Sequence, residues 1–207
     1  MKDKIVKALE QIERGKRKFR QSVELVINFK GVDFSKPENR VNATISLPNG
    51  RGAKKWKVGV IGDENFVREA EKAGADKLIR KEDLDALSSD SKALKELIRD
   101  YTLLAQPQLM GEVAKKIGKF LGPRNKMPKP VLGKLKESIE KARNEVRVAT
   151  KGKNLPVLHA FIGTEDMSNE ELAENAMAVY EELKKAVGAQ AISKLYVKFT
   201  MSKAVRV

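Results

Sequence analysis

Ser22-Val-Glu-Leu-Val-Ile-Asn-Phe29 alternates along its whole length, and what must cover its two faces decides the fold. As a strand it sets Val23, Leu25, Ile27 and Phe29 on the core side and Ser22, Glu24, Val26 and Asn28 on the other. Before it, Ile5, Val6, Leu9 and Ile12 recur at one-face helical spacing between Lys2 and about Arg14. Gly15 stops that helix, and Lys16-Arg-Lys-Phe-Arg20 forms a basic elbow leading into the strand. After it, Val41 to Leu47 alternates equally well. It runs into Pro48-Asn-Gly-Arg-Gly52, a turn signal dense enough to mark a domain boundary.

Beyond Gly52 the pattern changes. Short apolar strands at Lys57–Ile61, Asp76–Ile79 and Tyr101–Ala105 alternate with helical sequence over 63–72, from there to about Asp100, and over 108–121. Such alternation predicts βαβ units, and strands without polar alternation suit a parallel sheet covered on both faces. From about Glu145 antiparallel signals return: Val146–Ala149 and Val157–Ile162 flank Lys151–Pro156 and read as a hairpin. Ser168-Asn-Glu-Glu171 is a capping box, opening a helix to about Val187 with Leu172, Ala176, Val179 and Leu183 as its buried stripe. The strand Leu195–Thr200 must pair with something, and the early strands are its natural partners. The expected architecture is α/β and α+β in two domains. A split α+β two-layer domain uses 1–55 and 146–207, and an α/β domain is inserted over 56–145. Two crossings of this kind commonly act as a hinge.

Of 207 residues, 42 are Lys or Arg and 28 Asp or Glu, a net charge of +14. At 41% hydrophobic, the chain has material for folded cores, which excludes a basic disordered tail. Aromatics are only 5%, so a binding surface made of stacked aromatic platforms is not expected. Cysteine is absent, which removes disulfides, thiolate metal sites and cysteine nucleophiles. The single histidine, His159, excludes multi-His zinc clusters. The opening residues hold no apolar run of signal-peptide length, and no stretch approaches the roughly 18 apolar residues of a membrane span. The expectation is a soluble intracellular protein with no cofactor, whose charge needs a polyanionic partner.

The charge is unevenly spread. Residues 1–55 carry 14 basic and 6 acidic groups, 56–145 carry 19 and 15, and 146–207 carry 9 and 7. The end-built domain therefore holds +10 of the +14. Val113 to Lys136 has eight basic residues and no acid, and Leu183 to Val207 has six and none. Acid-free windows make a local positive field that a neutral mixture would not.

Gly59-Val-Ile-Gly62 follows a strand as a nucleotide-binding turn would, but neither G-x-G-x-x-G nor a P-loop occurs, so both glycines read as tight-packing positions. Gly118 to Pro130 is a basic Gly- and Pro-containing loop. It lets backbone approach a phosphate among Lys119, Arg124, Lys126 and Lys129, and it equally fits an ordinary helix-ending loop. His159 lies on an alternating strand without a nucleophile signature and reads as a core or strand-edge residue. Glu165, Asp166, Glu170 and Glu171 favour the start of the capped helix rather than a metal. Ser22 and Glu24 share the polar face of the first strand. Phosphates repel a carboxylate, yet it accepts hydrogen bonds from guanine N–H groups or a ribose 2′-OH; an exposed sheet-face glutamate fits the same spacing.

Phe19-Arg-Gln-Ser-Val-Glu-Leu-Val-Ile-Asn28, Lys36-Pro-Glu-Asn-Arg-Val41, Leu47-Pro-Asn-Gly-Arg-Gly52, Leu121-Gly-Pro-Arg-Asn-Lys-Met-Pro128 and Tyr196-Val-Lys-Phe-Thr-Met201 resemble the ribosomal large-subunit protein one family. They come in that family's order over nearly the whole chain, and the Gln-Ser-Val-Glu and Lys-Pro-Glu-Asn-Arg wording resembles its archaeal branch. The resemblance implies a split α+β domain with a Rossmann-like insertion. It also implies binding to the mobile side stalk of large-subunit rRNA, beside the exit site for deacylated tRNA, and repression of translation of the protein's own mRNA. The partners are thus rRNA, exit-site tRNA and that message, with no membrane and with the protein a monomer within the cytoplasmic ribosome. RNA-facing residues carried over by position are Lys18, Phe19, Ser22, Glu24, Thr200 and Met201. The family usually has Gly next, where this chain has Ser202, whose Cβ holds the backbone off RNA or shifts it if φ is positive; Ser202 is kept as a contact. Asn125 stands where Gly is common and tolerates left-handed backbone. Lys115, Lys116, Lys119, Arg124, Lys126 and Lys129 make a secondary basic surface facing tRNA or flanking rRNA. The competing expectations are a nucleotide-binding enzyme using the insertion, which lacks a phosphate fingerprint and a general base, and a generic basic nucleic-acid or membrane-surface binder.

Overall fold

The computed structural model describes residues 1–13, 15, 17–36, 39–150 and 155–207. Arg14 at the expected helix end, Lys16 of the basic elbow, Pro37 and Glu38 of the Lys36–Val41 stretch, and Lys151–Asn154 of the expected hairpin turn lie outside them. In chain order the elements are α1 (Lys2–Glu10), β1 (Ser22–Phe29), β2 (Asn42–Ser46), β3 (Lys57–Gly62), α2 (Glu64–Lys72), β4 (Lys77–Arg80), α3 (Asp83–Ser89), α4 (Ser91–Asp100) and β5 (Tyr101–Ala105). There follow α5 (Met110–Leu121), β6 (Lys129–Pro130), α6 (Leu135–Asn144), β7 (Glu145–Ala149), β8 (Val157–Thr164), α7 (Asn169–Val187), β9 (Ile192–Phe199) and β10 (Val205–Arg206). The fold is α/β and α+β, in two compact units: Met1–Lys55 with Asn144–Val207, and Trp56–Arg143.

In the first unit β1 is an inner strand, antiparallel to β8 on one side and β9 on the other, with β10 beyond β9. Val23, Leu25, Ile27 and Phe29 are buried in one core with Ile5 and Leu9 of α1 and Leu172, Ala176, Val179 and Leu183 of α7. Each Val, Leu, Ile or Phe side chain so removed from water contributes about 1.5–3 kcal/mol. The capping box at Ser168 and Glu171 forms as the sequence predicts.

Three expectations need correction here. α1 ends at Glu10 instead of near Arg14, because Gln11 caps it; Ile12 is still buried but lies beyond the helix. β7 and β8 are not a hairpin. β7 pairs with β2, placing Ile45 opposite Val146 and Ala43 opposite Val148, whereas β8 fills the free edge of β1. That pairing satisfies both edges of β1 and matches two alternating apolar faces. Glu145, expected in the insertion, is already opposite Ser46 in this ladder, and the border falls between Arg143 and Asn144.

The second unit has a parallel sheet in the order β4-β3-β5-β6. One core sets Ile61, Leu103 and Ala105 with Leu97, Val113 and Ile117; the other sets Val58, Val60 and Leu104 with Ala70, Leu135 and Ile139. Helices thus cover both faces, as apolar non-alternating strands require. The helical stretch before Asp100 is two helices, not one. Asp90 breaks it, because its carboxylate accepts the Lys92 and Ala93 N–H groups and starts α4. Gly59 and Gly62 are packing glycines: a Cβ on Gly59 would come within 2.9 Å of Leu103, and one on Gly62 would strike Phe66.

Candidate nucleic-acid interface

β1 begins where β9 ends, so Ser22 lies beside Thr200. The Ser22 N–H donates to Thr200 Oγ1 at 3.0 Å, and the Thr200 N–H donates to the Ser22 carbonyl at 3.0 Å. This extends the ladder one step past its last pair, Val23 with Phe199. The strand expected to include Thr200 therefore ends at Phe199, and Thr200 opens a turn. Its hydroxyl is engaged by β1 backbone, so Thr200 acts by holding Ser22 in place. Ser22 Oγ in turn accepts from Lys54 Nζ at 2.7 Å.

The turn after Thr200 is tied from below by Gln21, which is 2% exposed. Gln21 Oε1 accepts the Met201 N–H at 3.2 Å, while its Nε2 donates to Glu165 Oε2 at 3.2 Å and to the Gly15 carbonyl at 3.4 Å. Ser202 closes the turn: its N–H donates to the Phe199 carbonyl at 3.2 Å, and its Oγ accepts the Phe199 N–H at 2.8 Å. Asn125, at φ 52°, is the one non-glycine residue with positive φ among the described residues. Ser202 therefore needs no left-handed backbone, and its side chain becomes part of the turn. Met201, on backbone that the turn holds, remains 58% exposed, and Phe19, before β1, is 49% exposed.

Glu24 lies between Lys198 on β9 and Phe161 on β8. Its carboxylate is 3.7 Å from His159 Nδ1, too far for a hydrogen bond, and keeps acceptor capacity. Lys18 is exposed. Arg20 pairs with Asp166 at 2.7 Å, which ties the elbow to the loop before α7.

The segment 48–54 anchors Lys54, and it uses two buried polar groups, Asn175 and Arg51. Asn175 of α7 accepts the Asn49 N–H at 3.0 Å and donates to the Gly50 and Ile162 carbonyls at 2.9 and 2.8 Å. The Arg51 guanidinium stacks 4.3 Å from the Phe161 ring centroid and donates to the carbonyls of Lys54 and Glu145 at 2.9 and 3.1 Å. Burial pushes its pKa down to about 10, which leaves it a cation at neutral pH. Gly52 has φ +61°, and a Cβ there would strike Thr164 Oγ1. Sequence reasoning missed Gln21, Arg51 and Lys54. For Arg51 the signal was present in the polar Pro48–Gly52 turn, which reads as punctuation and folds as a buttress.

The sequence matches the ribosomal protein L1p/L10e family over residues 7–203, a span that includes every residue of this junction. The chain belongs to that family. It is 40% identical to the large ribosomal subunit protein uL1 of Archaeoglobus fulgidus over 213 residues, covering 100% of this chain and 98% of the relative. Identity to the uL1 protein of Methanothermobacter thermautotrophicus is 41%, covering 98% and 96%, and to that of Thermococcus kodakarensis 40%, covering 100% and 97%. These archaeal relatives carry the names of ribosomal proteins, not of enzymes.

In this L1p/L10e chain the second basic window is differently built. Lys115, Lys119 and Arg124 are exposed. Lys116, however, pairs with Asp85 at 2.8 Å. Lys126 lies 4.5 Å over the Trp56 ring and donates to the Tyr101 carbonyl at 3.3 Å, and Lys129 belongs to β6, opposite Leu104. Of the four cations of the 118–130 loop, which fits a phosphate cradle and a helix-ending loop equally, Lys126 is thus engaged with Trp56 and Tyr101. Among the described residues no group of three His, Cys, Asp or Glu is arranged to hold a metal, and no helix is long and apolar enough to cross a membrane.

Proposed function

We propose that this protein is a noncatalytic component of the large ribosomal subunit that binds large-subunit rRNA at the mobile side stalk. It takes part in movement and release of exit-site tRNA there and represses translation of its own mRNA by binding an RNA element of the same shape. It works in the cytoplasm, as a monomer within the ribosome. The observation that carries the reading is the junction of Ser22, Thr200 and Lys54, which holds exposed Met201 at the end of the sheet that carries the acceptor Glu24, with exposed Lys18 and Phe19 just before β1 in the chain. Cations supply affinity, and the fixed uncharged and acidic groups supply shape and base selectivity. Family membership and the printed names of the relatives support the ribosomal setting.

The nucleotide-enzyme alternative fares worse on one particular. The N-terminus of α2, where a phosphate would be received, is capped by Asp63, whose carboxylate accepts the Phe66 N–H at 2.9 Å and a Gln106 N–H at 2.9 Å. Those bonds hold the carboxyl below its usual range, so a negative charge already occupies that place.

Competition between a side-stalk RNA fragment and an unrelated duplex of equal length, at fixed salt, tests the reading. The stalk fragment is expected to bind about 10³-fold or more tightly. Equal affinities would leave only a generic basic binder.

A further inference from the structure

The four-stranded sheet of the first unit packs one side on helices, and its pairing register fixes what the other side carries. Lys198, Glu24 and Phe161 form one row across β9, β1 and β8. Arg206, Tyr196, Val26 and His159 form the next, and Lys194, Asn28 and Val157 the third. Directly paired residues share a face, and Val26 is no part of the core cluster holding Val23, Leu25 and Ile27. It is 8% exposed, between Tyr196 and His159. The side chain of His159 is 59% exposed, and Lys194 and Arg206 are exposed beside a partly exposed Tyr196. Phe161 is already covered by Arg51, which leaves Tyr196 as the ring in the middle of this face.

The charge on the face is one-sided. Lys194, Lys198 and Arg206 come from the acid-free C-terminal window, against the single carboxylate of Glu24. Glu24 also belongs to the strand-end junction, so the face is continuous with it.

We propose that this sheet face binds an unpaired stretch of RNA, with a base stacked on Tyr196 and phosphates held by Lys194, Lys198 and Arg206. The proposal rests on the RNA-binding reading above and extends it from the junction onto the sheet. An unpaired base offers a π-face to a ring, which a base inside a duplex does not. An acidic peptide would engage the cations but gain nothing from the ring. One ring in the row serves one or two bases, consistent with a chain poor in aromatics.

The test titrates a short oligouridine and, separately, the side-stalk fragment with the full-length protein. Tyr196→Ala is expected to weaken oligouridine about tenfold, while Tyr196→Phe retains the wild-type affinity. Lys194→Ala with Arg206→Ala removes two phosphate contacts and lowers the salt slope of log affinity by about 1.4. Met201→Asp weakens the stalk fragment by a larger factor than it weakens oligouridine. Thermal unfolding of each variant verifies the fold, and the Phe variant separates loss of the ring from loss of structure. Unchanged oligouridine affinity in Tyr196→Ala overturns the proposal. So does an equal loss in Met201→Asp, which would mean a single site, or equal displacement of oligouridine by an acidic peptide from wild type and Tyr196→Ala. A stalk fragment bound no better than unrelated duplex, with oligouridine still dependent on Tyr196, would sink the rRNA reading and leave this one standing.

Discussion

At the strand-end junction of the first unit, uncharged polar side chains tie the backbone that carries an exposed side chain; at the 118–130 loop of the second, a cation is itself used in holding the loop. Gln21, Thr200 and Ser202 satisfy backbone groups around the turn, and Met201 stands free of the fold as a result. In the loop Lys126 stacks on Trp56, and on α5 Lys116 pairs with Asp85, so of the eight basic residues from Val113 to Lys136 at least two have partners within the fold. Charge density in a sequence measures attraction to a polyanion. Whether it becomes a shaped site depends on which other residues do the holding.

The largest break in that comparison comes from Asn175→Leu. The substitution leaves the Asn49 N–H and the Gly50 and Ile162 carbonyls without their partner in a buried place. Unmade buried hydrogen bonds of this kind cost about 1–3 kcal/mol each, with partial relaxation, so a loss of about 3 kcal/mol is expected in urea unfolding. Because the same segment positions Lys54, stalk-RNA affinity falls as well. A stable variant with normal affinity would show that the 48–54 buttress is not needed for the site.

Met201→Asp and Thr200→Val act on the site with little effect on the core. Met201→Asp sets a carboxylate against phosphates and removes an apolar contact. Thr200→Val keeps the branched shape but leaves the Ser22 N–H without its acceptor. Each is expected to cost about 1–2 kcal/mol of binding to the stalk fragment. Lys119→Ala with Arg124→Ala, at the exposed end of the other window, is expected to change that affinity much less. If the lysine–arginine pair matters more than Met201, the two regions have been ranked the wrong way round, and the isotherms will say so.

How much of this could be read from the chain follows the range of the signals. β1, β5 and the capped α7 were legible because alternation, apolar runs and the Ser168–Glu171 box are local. The break at Asp90 was legible in principle, since Asp is a strong cap, but the apolar spacing on both sides of it runs on as one helix. The pairing of β7 with β2 was not legible: the strands are about 100 residues apart, and proximity in sequence favours a β7–β8 hairpin. α6 and β6 lie in the basic stretch after Leu121, where charge and proline obscure the spacing of Val131, Leu135, Ile139 and Ala142. At the site, the motif residues could be named, but Lys54 reaches Ser22 across 32 positions and Gln21 reaches Glu165 across 144. Such ties have no local signature.

The smallest expected effect separates the two units by their helix caps. α7 in the first unit is capped by the hydroxyl of Ser168, which does not titrate in the acid range. α2 and α4 in the second are capped by Asp63 and Asp90, whose carboxyls are held below the ordinary value of 3.8 first by the N–H groups of Phe66 and Ala93. A carboxyl with a lowered folded-state pKa stabilises the fold above its unfolded value and loses that contribution as pH falls through the folded one. Asn caps a helix about as well as Asp but carries no charge for the helix dipole. Asp63→Asn with Asp90→Asn should therefore lower the urea midpoint of the second unit slightly at pH 6, and the difference from wild type should shrink steadily below pH 3.8. The opposite slope, with the gap widening in acid, would mean that these carboxylates are strained rather than satisfied at their caps. In that case the comparison between a fold held by neutral groups and one held by charges would have to be drawn elsewhere.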